Sequence, residues 1–83
     1  MALSDQLRLL LREKYGLVHV PNRHRMASWV ERTRAGCAAG LAAEEAGLLA
    51  ARALFPYELK ERAVLSATPA ARLLELAGDL KEL

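Results

Sequence analysis

The sequence predicts an all-α protein, a small bundle of four to five helices around a central helix rich in alanine and glycine. Three observations carry this. Alanine (16) and leucine (17) supply 33 of the 83 residues, whereas isoleucine is absent and valine occurs four times; strong helix formers dominate and β-branched residues are scarce. Apolar residues recur at three- and four-residue spacing along several segments. Proline and glycine fall between those segments, where helices begin and end. Residues 1–83 are read as a single helical domain.

In chain order, Ser4 is placed to cap a first helix to about Tyr15, with Asp5 favourable in its first turn. Leu3, Leu7, Leu10, Leu11 and Lys14 share one face, Leu9 lies off it, and Gly16 is a suitable stop. Leu17-Val18-His19-Val20-Pro21 disfavours helix and reads as a connector packed on the bundle. Asn22 is a cap for a second helix from Arg23 to about Ala35, with an apolar stripe of Met26, Trp29, Val30 and Thr33 and Cys37 next in phase.

The stretch Ala35–Phe55 is expected to be the central helix. Its charges are confined to Glu44, Glu45 and Arg52, and a helix apolar nearly all round is usually buried. Gly36, Gly40 and Gly47 would let neighbouring backbones approach. The stripe of the second helix continues in phase to Leu41, Leu48 and Phe55, which favours a bend at Ala35-Gly36 over a full turn-back. Pro56 ends this helix and opens a short fourth one to about Leu65. Thr68-Pro69 then restarts the chain as cap and first helical residue. The last helix runs to about Lys81 on a stripe of Ala70, Leu73, Leu74, Ala77 and Leu80.

Size and charge bound the function. A chain this short buries only about 60% of its unfolded surface, so its core is marginal. The single cysteine, Cys37, excludes an internal disulfide framework, which leaves tight packing and self-association as sources of stability. The net charge of +2 is unevenly spread. Residues 1–42 hold seven Arg/Lys against three Asp/Glu, and residues 43–83 five against seven, so the two halves can attract within a fold or between subunits. Arginine outnumbers lysine nine to three, and asparagine and glutamine occur once each. A heat-adapted source would produce that pattern, and a GC-rich genome would explain the arginine equally. The central charge-free run, Ala35–Ala43, spans nine residues against the roughly 20 of a membrane helix. Asp5, Arg8 and Arg12 interrupt any signal-peptide core. A cytoplasmic protein is expected.

Several constellations carry candidate chemistry. Arg23, Arg25, Arg32 and Arg34 around Trp29 form the candidate nucleic-acid surface, since phosphates need several cations on one face; on the helical wheel they straddle the apolar stripe. Ala43-Glu44-Glu45-Ala46-Gly47-Leu48 is similar to the start of a helix-turn-helix, but the residues after it, Leu49–Phe55, offer a DNA groove a single basic side chain, Arg52. Glu44 and Glu45, read as mid-helix residues, could serve a metal- or carboxylate-dependent enzyme. They point about 100° apart, and no Glu-x-x-His follows. Cys37 is expected to be buried and inert, and His19 and His24 to be solvated. No metal, cofactor or catalytic residue is assigned.

Two local patterns have parallels elsewhere. Arg12 and His19 satisfy the loose Arg-x(4–6)-His pattern of the HEPN ribonucleases, although there the pair sits late in a larger bundle. Pro56-Tyr57-Glu58-Leu59-Lys60-Glu61-Arg62, Leu65 and Pro69–Leu76 resemble the helical tail of the N-terminal domain of Lon-type proteases. The resemblance lies in a short helix, a turn and an Arg-Leu-x-x-Leu helix. The remaining residues show nothing of that domain's β-rich part, nor its ATPase or protease, and the chain is assigned to neither family.

The expected function is therefore a cytoplasmic helical protein-interaction module. It associates foremost with itself as a dimer, through a strip of Leu41, Glu44, Glu45, Leu48 and Arg52. Other protein partners, and nucleic acid on Arg23, Arg25, Arg32 and Arg34, are the alternatives; a membrane is not expected.

Overall fold

The computed structural model describes residues 3–59 and 68–78. Over these the chain forms four helices: α1 (Leu3–Tyr15), α2 (Arg23–Ala38), α3 (Ala43–Leu54) and α4 (Ala70–Gly78). No strand occurs among the described residues. Most of the expected helix Pro56–Leu65, and the expected end of the last helix, lie outside them.

α1 ends as its sequence requires. Gly16 takes φ 63°, and the Leu17 N–H donates to the Arg12 carbonyl at 3.0 Å, the closing bond of a Schellman turn. The connector then buries Leu17 and Pro21 and turns Val18 and Val20 outward. Arg8 fixes its far end, donating from Nε to the Pro21 carbonyl at 2.7 Å. Asn22 caps α2 as expected, its side chain accepting from the Arg25 N–H at 2.8 Å.

The expected central helix is two helices. α2 continues through Gly36 to Ala38, and the break falls at Gly40, with φ 102°. The Leu41 N–H donates to the Gly36 carbonyl and the Gly40 N–H to the Cys37 carbonyl, both at 3.0 Å, a complete Schellman pair. The chain then turns back instead of bending. A Cβ added at Gly36 would meet Ala46 Cβ at 2.7 Å, and one at Gly47 would meet Trp29 at 3.1 Å. Arg25, near the start of α2, stands 5.9 Å from the ring of Phe55 at the end of α3. The two helices are therefore antiparallel neighbours. Glu44 and Glu45 are not mid-helix residues; they occupy the first turn of α3, where the helix dipole favours carboxylates. That acidic pair is the sequence signal for a new N-terminus.

The buried side chains form one cluster. α1 supplies Leu7, Leu11 and Tyr15, α2 Met26, Trp29 and Val30, α3 Ala50 and Ala51, and α4 Ala70, Leu73 and Ala77, with Phe55 and Leu17 from the connections. Thr33 is also fully buried. Its hydroxyl donates to the Trp29 carbonyl at 2.6 Å, which satisfies it within its own helix.

Candidate interaction surface

α3 presents two unlike faces. Ala46, Gly47, Ala50 and Ala51 are buried, whereas Glu45, Leu49, Arg52 and Ala53 are exposed. The inner face is made of small residues because α2 and α4 come so close and the Tyr15 side chain reaches in from α1. Trp29 donates from Nε1 to the Gly47 carbonyl at 3.1 Å, and a Cβ on Gly47 would lie 2.7 Å from the Tyr15 hydroxyl oxygen. That hydroxyl is buried without a hydrogen-bond partner, and burial pushes its pKa well above the usual tyrosine range.

Where α3 meets α1 and α4, a polar bracket adds to close packing. Lys14 is fully buried, at the position its place on the α1 stripe indicates. Its Nζ donates to Glu44 Oε1 at 3.0 Å. The same oxygen accepts the Ala70 N–H at 2.6 Å. The expected cap for this last helix, Thr68 followed by Pro69 as first helical residue, is corrected by one position. Pro69 supplies the carbonyl that opens the helix, accepting from Leu73 at 3.3 Å, and the first helical N–H is capped from α3. The carboxylate serves because it satisfies a buried ammonium and a helix N-terminus at once. Nothing in the sequence places Glu44 against Lys14, thirty positions away.

Of the expected partner strip, Glu44, Glu45, Leu48 and Arg52 share one wedge of about 100° on α3. Glu44 turns toward α1 and α4, Leu48 is half-buried against the core, and Glu45 and Arg52 are exposed. Leu41 precedes α3 and lies on the α2 side. There, with Leu49, Ala46 and Ala50 of α3 and Ala35 and Gly36 of α2, it lines an open groove of about 280 Å³. Arg32 is the one charged residue in that lining. Leu49 is 47% exposed.

Arg23, Arg25, Arg32 and Arg34 are all exposed but do not converge. Arg25 lies over Phe55 and Arg32 lines the α2–α3 groove. Arg34 lines a separate depression with Ala27, Val30 and Glu31. Trp29 is fully buried and cannot stack a base.

Cys37 is half-buried, not fully buried as expected, because it lies in the last turn of α2 beside the exposed Ala38-Ala39-Gly40 corner. His19 is exposed as expected, its backbone N–H and its ring Nδ1 each 3.3 Å from Glu58 Oε1. His24 is also exposed. Among the described residues, no group of three or more His, Cys, Asp or Glu is arranged to hold a metal ion, and no helix is long and apolar enough to cross a membrane.

Comparison of the chain with family models, with curated proteins and with solved structures finds no match.

Proposed function

We propose that this chain is a helical protein-interaction module that associates with itself. The observation that carries the reading is the outer face of the α2–α3 hairpin. Two leucines stand over a floor of alanine and glycine, and Leu49 keeps nearly half its surface in contact with water. Burying such a side chain is worth about 1.5–3 kcal/mol. A chain this small has few other ways to add to its core.

Light scattering across a concentration series tests the proposal. The expected result is a mass rising from the 9.1 kDa of one chain toward twice that value. A constant single-chain mass into the high micromolar range would remove it.

A further inference from the structure

We draw no further inference here: the strongest candidate, the open apolar groove between α2 and α3 under Leu41 and Leu49, is an unpartnered face, and nothing in the structure shows what covers it.

Discussion

Along the α2–α3 seam, α3 contributes only small residues. Gly36 lies against Ala46 and Gly47 against Trp29, so a single added methyl group would have to move a neighbour. Where α1 and α4 meet α3, a carboxylate joins three helices by holding Lys14 and the Ala70 N–H. Backbone proximity sets the position of the first region, and directional charge sets that of the second. A seam of small residues tolerates no gain in volume. A charged bracket tolerates volume changes but not the loss of the partner that satisfies a buried group.

The largest expected effect falls at the centre of the seam. Trp29→Ala removes the biggest buried side chain and its bond to Gly47 and should cost about 3–5 kcal/mol. For a domain of marginal stability this comes close to unfolding it, and a urea titration followed by circular dichroism would show the transition lost or moved to low denaturant.

Gly47→Ala pits two effects against each other. Helix propensity favours alanine by about 1 kcal/mol, whereas the new Cβ would sit 2.7 Å from the Tyr15 oxygen, 3.1 Å from Trp29 and 3.2 Å from Ala70 Cβ. Sterics should win, with a net loss of about 1–3 kcal/mol, and Tyr15→Phe in the same chain should recover part of it. A raised urea midpoint for Gly47→Ala alone would mean that the seam is looser than described.

The bracket predicts an asymmetry. Glu44→Ala takes its carboxylate partner from a buried ammonium and its cap from α4. Because Glu44 is itself half exposed, the cost should be about 1–3 kcal/mol and not the larger value of a fully buried pair. Lys14→Met leaves Glu44 still capping Ala70, so its midpoint should shift by less than that of Glu44→Ala. Equal losses in the two variants would show that the charge pair, and not the cap on α4, sets the stability.

An effect confined to alkaline pH is found where the two regions touch, at the Tyr15 hydroxyl. Its folded pKa is raised by burial, so above pH ~10 the unfolded chain releases this proton first and the folded state loses stability by up to about 1.4 kcal/mol per pH unit. Below pH ~10 both states hold the proton and no dependence arises from this group. Tyr15→Phe should flatten the alkaline slope and leave neutral-pH stability nearly unchanged, because the hydroxyl has no partner to lose. Thermal midpoints at pH 8 and pH 11 provide the measurement.

The sequence by itself determined the helical class, the Asn22 cap, the Gly16 stop, the buried face of α1 including Lys14, and the buried stripe Met26, Trp29, Val30 and Thr33. These follow from local rules: 3.6-residue periodicity, side chains that mimic a preceding turn, and a glycine where φ must be positive. Only the tertiary structure decided that the alanine-rich stretch folds back at Gly40. Gly36 and Gly40 are equally able to break a helix, and the choice depends on which break lets α3 lie against Trp29. It also decided that Glu44, half exposed, and not Glu45 reaches Lys14 and the Ala70 N–H. Helix geometry separates the two carboxylates by about 100°, but the packing of α1 and α4 settles which of them meets the buried ammonium. Leu41 and Leu49 became neighbours across one groove for the same reason: the turn sets two segments side by side that a continuous helix would have kept apart along its axis.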